Sequence, residues 1–479
     1  MHVIQVSFEC YPVAKAGGLG DVVGALPKYL QQYDVDSSVV LPHFDIPWIQ
    51  NHQLVEVHEG YAWMGDERFG YRIMREQGDI LGFPLFLVDI PGRLDRPGIY
   101  IDPNSDFAYW DEFERFLTFQ IAVLDWLKSF SQKPDLVHCH DHHTALIPFL
   151  MTSSPAFHEF MHIPTVLTIH NGHYQGWYEP EKKELLPVFE SEREGFLYWN
   201  GQLNALSAGL RTAWQITTVS QSYLEELQHA SKGLESLLAN EREKSVGIIN
   251  GIDTEVWDPS TDPLIVKNYD EHTLAEGKLE NKKWLCNFFN LNPDLPLFVF
   301  IGRLAAEKGA DLLPDLFTQY LESGLKGSFL VLGTGDPYLH KRFEELKNQY
   351  VDFFDASLNY NEELAHRMYA GGDFLLMPSR VEPCGLNQMY AMRYGTLPIA
   401  RSIGGLKDTI IDFSQADGYG ILFENFDLDD SFNGLKRANT LYSDPKLQID
   451  LQKRAFGKDF SWHNSAKQYV QMYQRLMEE

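Results

Sequence analysis

Five short runs of this chain set charged or imidazole side chains beside glycines in the pattern of a strand, a tight turn and a helix. The run FIGRLAAEKGADLL, residues 300–313, presents Arg303 and Lys308 between an apolar strand and a new helix. A guanidinium can grip a phosphate through two parallel N–H donors and an ammonium adds a compact point charge, so together they match a pyrophosphate. A solvated surface pair is the plainer alternative. In MPSRVEPCGLNQMYAMRYGTLPIA, residues 377–400, Glu382 precedes Pro383, Cys384 and Gly385 on a turn that opens a helix over 386–394. A carboxylate there can hydrogen-bond sugar hydroxyls or stabilise positive charge at an anomeric carbon, and a simple helix-start charge is the alternative.

Three further runs lie in the first half. KAGGLGDVVGALP, residues 15–27, follows a buried strand; Gly17 and Gly18 permit close backbone approach, and the helix start at Gly20 and Asp21 offers N–H groups to an anion. An ordinary strand-to-helix turn would look the same. DLVHCHDHHTA, residues 135–145, ends a strand in His138, His140, Asp141, His142 and His143, where a sugar could bind. Metal binding is the rival reading, although no companion ligands complete a zinc pattern. TVLTIHNGHYQG, residues 165–176, repeats that geometry with His170 and Asn171, so two strand ends point to one crevice.

These residues need a scaffold, and the alternation of short apolar runs with helical periodicity supplies a parallel α/β sheet. The pattern predicts strands over 2–8, 37–41, 84–89, 135–140, 164–170 and 215–220, with helices over 21–31, 107–128 and 203–213. The rhythm then restarts, with strands over 297–301, 328–332, 374–377 and 397–400 and helices over 311–321, 338–348 and 386–394. Two doubly wound, Rossmann-like domains result, with a seam near VGIINGIDTEVWDP around Asn250. We place the domains at 1–248 and 249–459. The segment 460–479 reads as an amphipathic helix with Tyr469, Met472, Tyr473 and Leu476 on one face.

A formal net charge of -27 argues against nucleic acid or an anionic membrane surface as the partner, since both demand a basic face. Four cysteines without C-x-x-C spacing fit neither a disulfide framework nor a zinc site, which predicts a reducing cytoplasm. The first residues lack a signal-peptide pattern and no run approaches 18 apolar residues, so neither export nor membrane spanning is expected.

Taken together, KAGGLGDVVGALP, HCHDHH, TIHNGHYQG, INGID, GRLAAEKG and SRVEPCGLNQMYAMRYGT resemble the bacterial glycogen synthase and plant starch synthase family, in its order and over nearly the whole chain. The resemblance implies a GT-B architecture, two Rossmann-like domains facing across a deep cleft, with the C-terminal helix crossing back onto the first. It implies transfer of glucose from ADP-glucose or UDP-glucose to the non-reducing end of an α-1,4-glucan, with retention and without a bound metal or cofactor. A plant member would reside in the plastid.

By the same resemblance, Lys15, Gly17 and Gly18 lie near the donor phosphates, and Arg303 and Lys308 neutralise the departing pyrophosphate. Glu382 holds the donor glucose. Asp141, His170 and Asn171 line the sugar side, joined by Asp21 and Cys384. Asn250 sits at the hinge near the sugar, Tyr360 stacks on the base, and the amides of Gly385, Leu386 and Asn387 receive the distal phosphate. The chain departs from the family pattern at Ala16 and Asn387, where Thr is usual, at His142, where Trp is usual, and at Ile403 before GGL. None of these removes a charged group. A sucrose- or trehalose-forming transferase of the same fold and a non-catalytic glucan-binding subunit are the competing expectations.

Overall fold

The computed structural model describes residues 1–105 and 107–478 of the 479. The chain forms two compact units, one comprising Met1–Val219, Leu224–Gly251 and the C-terminal helix from Trp462, the other Ser220–Tyr223 and Ile252–Ser461.

The first unit is built on a nine-stranded sheet. From one edge its strands run Ser245–Gly247, Gln215–Thr218, Thr165–Ile169, Leu136–His140, His2–Val6, Asp36–Pro42 and Leu85–Asp89, all parallel. The central strands are buried on both faces, which is why they read as continuous apolar runs. Beyond Leu85–Asp89 the sheet continues as an antiparallel ribbon, Glu67–Glu76 then Leu54–Met64. Successive strands build outward from His2–Val6 in both directions, so strand order reverses there. At such a switch point the loops after the strand ends diverge and leave a crevice.

The second unit has a six-stranded, wholly parallel sheet in the order Phe354–Ser357, Ser328–Leu332, Leu297–Ile301, Phe374–Met377, Leu397–Arg401, Ile421–Phe423. Its switch point falls between Ser328–Leu332 and Phe374–Met377, on Leu297–Ile301.

The C-terminal helix, Trp462–Glu478, buries Tyr469, Met472, Tyr473 and Leu476, the four residues its periodicity puts on one face. That face packs on the helix Gly18–Leu30 through Val22, Leu26 and Tyr29. Gly251 makes the return possible: a β-carbon there would stand 2.4 Å from Trp462 Cα.

Four expected helix starts move by two residues or more, among them that of the helix expected from Asp311, which begins at Leu313. The first-unit helix opens at Gly18 rather than Asp21. The helix expected from Phe107 begins at Glu112, because Phe107–Ala108 pairs with Ile101–Asp102 as a short hairpin. The helix expected from Leu203 begins at Ala205, since Gln202–Asn204 is a strand and the Asn204 side chain caps the helix by accepting from the Ser207 amide.

Candidate functional site

In the second unit the chemistry gathers at the switch point. The strand Leu297–Ile301 ends in Gly302 and Arg303, and a short turn, Ala306–Lys308, delivers the Lys308 ammonium. Gly309 closes that turn at φ +70°, and any β-carbon there would meet the Pro378 carbonyl oxygen at 2.0 Å, so this position must be glycine. The neighbouring strand, Phe374–Met377, leads to Glu382. The two side chains meet: Lys308 Nζ donates to Glu382 Oε1 and Oε2 at 2.7 and 2.9 Å. Ser379 Oγ donates to Oε2 at 2.9 Å, and Glu382 is only 5% exposed. A buried carboxylate is tolerable because it is paired.

Arg303 behaves differently. It is exposed and its guanidinium pairs with Glu307 one turn on. The Pro383–Gly385 turn is shaped by Gln388, whose side-chain nitrogen donates to the carbonyls of Cys384 and Gly385 at 3.1 and 3.0 Å. Gly385 has φ +74° and a β-carbon there would strike Gln388 Oε1 at 2.5 Å. Asn387 Nδ2 donates to the Ile301 carbonyl at 2.6 Å and ties the helix Asn387–Arg393 to the strand end that carries Arg303. Leu386 precedes that helix and Cys384 is buried beside it. Tyr360, 82% exposed, stands just past the strand Phe354–Ser357.

In the first unit the expected residues fall into two groups, the first of them braced by Glu9, which sequence reasoning missed. Glu9 Oε2 accepts from the amides of Ala16 and Gly17 at 2.6 and 2.7 Å, and Oε1 accepts from the Tyr100 hydroxyl at 2.8 Å. The carboxylate therefore takes two of the donors the glycine loop offers, while Gly17 and Gly18 keep open space where side chains would lie. Lys15 Nζ pairs with Asp21 Oδ1 at 2.6 Å, and burial raises the Asp21 carboxyl against the pull of that lysine.

Asp141 follows the strand Leu136–His140 at φ 56°, and its Oδ1 accepts from the amides of His170 at 2.7 Å and Asn171 at 3.4 Å. The two histidine-bearing strand ends are thus joined through one carboxylate. Burial pushes that carboxyl up to about 7, against the opposing effect of the two amides. Burial likewise drives His138 and His170 down to about 3 and His142 to about 4. His138 and His140 share a face as alternation predicts, with ring centroids 4.3 Å apart, and both are completely buried. Asn250 is buried, and its Oδ1 has no partner among the described residues. Among those residues no group of three His, Cys, Asp or Glu side chains is arranged to hold a metal ion. Among the described residues no helix is long and apolar enough to cross a membrane.

The paired Rossmann-like units are those of a GT-B fold, and likeness to known enzymes makes the chain a hexosyl-transferring glycosyltransferase. Two family models match, one described as the starch synthase catalytic domain over residues 2–240, the other as glycosyl transferases group 1 over 286–457. The glycogen synthase of Flavobacterium johnsoniae is 44% identical over all of both chains, and that of Lacticaseibacillus casei 37% identical over all of this chain and 99% of its own. The catalytic domain of starch synthase IV from Arabidopsis thaliana superposes with a TM-score of 0.87 at 31% identity, covering 100% of this chain and 99% of that one. Sucrose-phosphate synthase from Thermosynechococcus elongatus shares the fold at a TM-score of 0.63 and 18% identity, with the same coverage. The chain belongs to the glycogen synthase and starch synthase family.

Proposed function

We propose that this enzyme transfers glucose from ADP-glucose to the non-reducing 4-hydroxyl of an α-1,4-glucan with retention of configuration, without a bound metal or cofactor. The observation that carries the reading is the Lys308–Glu382 pair at the switch point of the second unit: a cation and a buried carboxylate held 2.7 Å apart where nucleotide-type folds bind ligands. The starch synthase IV structure, bound to ADP and acarbose, supports both the donor and the glucan acceptor.

In this mechanism the C1–O bond of the donor breaks with oxocarbenium character while the acceptor hydroxyl approaches from the face the diphosphate leaves. The departing diphosphate takes the acceptor's proton, so no protein nucleophile is required. Arg303 and Lys308 stabilise the leaving group, as charge-assisted donors do best where water is excluded. The amides of Gly385, Leu386 and Asn387 receive the distal phosphate and Tyr360 stacks on the base. Glu382 holds the glucose together with Cys384. Lys15, Gly17 and Gly18 serve the phosphates; Asp21, Asp141, His170, Asn171 and Asn250 serve the sugar. UDP-glucose is the second donor to consider, because base choice rests on the Tyr360 side of the site.

The test is the initial rate of nucleoside diphosphate release from ADP-glucose and UDP-glucose, with glycogen, glucose or fructose 6-phosphate as acceptor. Fast release with ADP-glucose and glycogen alone is expected. Preference for a simple sugar, or glycogen binding without release from any donor, would overturn the reading.

A further inference from the structure

Behind His170 runs a chain of buried polar groups that reaches the C-terminal helix. His170 Nε2 lies 3.0 Å from His140 Nδ1, and His140 Nε2 lies 2.9 Å from the side-chain oxygen of Gln5. The Gln5 side-chain nitrogen faces Ser37 Oγ at 3.4 Å and the Tyr473 hydroxyl at 3.5 Å. That hydroxyl is 2.7 Å from His138 Nδ1, and His138 Nε2 is 2.6 Å from Thr168 Oγ1. Gln5, His138, His140, Thr168 and Tyr473 are completely buried; His170, at 8%, is the end nearest solvent.

The direction of these bonds follows from elementary donor chemistry. Gln5 presents its amide nitrogen to the Ser37 and Tyr473 hydroxyls, so Tyr473 accepts from Gln5 and its own single proton is free for His138 Nδ1. The Gln5 oxygen is then left facing His140, and a carbonyl oxygen can only accept. His140 must therefore carry its proton on Nε2. Among the described residues no charged group partners the rings of His138, His140 or His170, and burial holds all three neutral. A neutral His140 with Nε2–H has a bare Nδ1, to which His170 Nε2–H must donate. His170 Nδ1, with no protein partner among the described residues, is then a lone-pair acceptor.

We propose that Tyr473, Gln5 and His140 are positioning residues that lock His170 in the Nε2–H tautomer, so that its Nδ1 accepts a hydrogen bond from a hydroxyl of the bound glucose. The second half of this inference rests on the function proposed above. A helix at the far end of the sequence thereby sets the hydrogen-bonding polarity of a sugar-side group, without touching the sugar.

The test is 15N NMR of the full-length protein labelled at histidine, with His170 and His140 assigned from the spectra of His170→Gln and His140→Gln. At pH 7 the wild type is expected to show a protonated Nε2 and a bare Nδ1 on His170; the opposite tautomer or an imidazolium would overturn the relay. Gln5→Leu, or the milder Tyr473→Phe, should shift the His170 nitrogen signals toward a mixture of tautomers, and unchanged signals would also overturn it. A purely packing role would not move them. In turnover, both variants should lower kcat/KM for the nucleotide sugar about 3- to 10-fold, the worth of one neutral hydrogen bond. That penalty should vanish with one of the 2-, 3-, 4- or 6-deoxyglucose donors, and a penalty that persists with all four would refute the acceptor role. The spectra require no turnover, so a failure to make glucan would sink the functional reading while leaving the relay independently tested.

Discussion

Replacing Lys308 by alanine perturbs stability and catalysis by separable amounts. In the free enzyme the ammonium makes two contacts to Glu382, at 2.7 and 2.9 Å, and Glu382 Oε1 has no other partner among the described residues. Truncation leaves a 5% exposed carboxylate held only by Ser379, at a cost on the order of 1–3 kcal/mol of stability. On the proposed mechanism the same side chain stabilises the leaving diphosphate, where one charge-assisted bond is worth about 1.5–3 kcal/mol, or roughly one to two orders of magnitude in kcat. Adding Glu382→Gln removes the stranded charge. The double variant should therefore recover most of the lost stability in urea titration and none of the lost activity in a coupled assay of ADP release. An unchanged rate in Lys308→Ala, or activity that returns with stability in the double variant, would refute the assignment.

Three further outcomes are expected. Asp141 has a folded pKa of about 7 against an ordinary 3.8, so the folded state keeps a proton that the unfolded chain releases between these values. Its cost therefore appears as pH rises, and Asp141→Asn should match wild type near pH 4 yet gain on the order of 1–4 kcal/mol by pH 8, measured by urea denaturation. His138, His142 and His170 titrate the other way: with folded values of about 3 to 4 against 6.5, their stabilising effect is full above pH 6.5 and lost on acidification. The urea midpoint should fall between pH 6.5 and 4, and fall less in His142→Gln; a flat midpoint would contradict the neutral cluster. Tyr360→Ala should raise KM for the donor about fivefold or more with little change in kcat, as loss of a stacking platform does.

Much of the scaffold was legible because parallel strands buried on both faces leave continuous apolar runs, as in LFVFI at 297–301 and SFLVL at 328–332, whose observed limits match the expected ones. The antiparallel ribbon escaped notice, although VEVHEGYAW and ERFGYRIMR alternate on either side of Gly65 and Asp66 as a hairpin should. Helix starts were read from apolar periodicity, which is blind to a glycine-led first turn such as Gly18 or to an asparagine cap such as Asn204. In the site, Lys308 and Glu382 stood out as lone charges beside glycine turns, and the fold brings them together. Glu9 and Tyr100 did not, because each becomes informative only when residues 91 positions apart are brought into contact. Gln5 and Tyr473 are 468 apart, and no local pattern could have coupled them.

Crystals of the enzyme soaked with ADP test the central claim most directly. The account predicts a diphosphate within hydrogen-bonding reach of both the Arg303 guanidinium and the Lys308 ammonium, with the Gly385–Asn387 amides on its distal phosphate. A diphosphate seated away from Arg303 and Lys308 would contradict it.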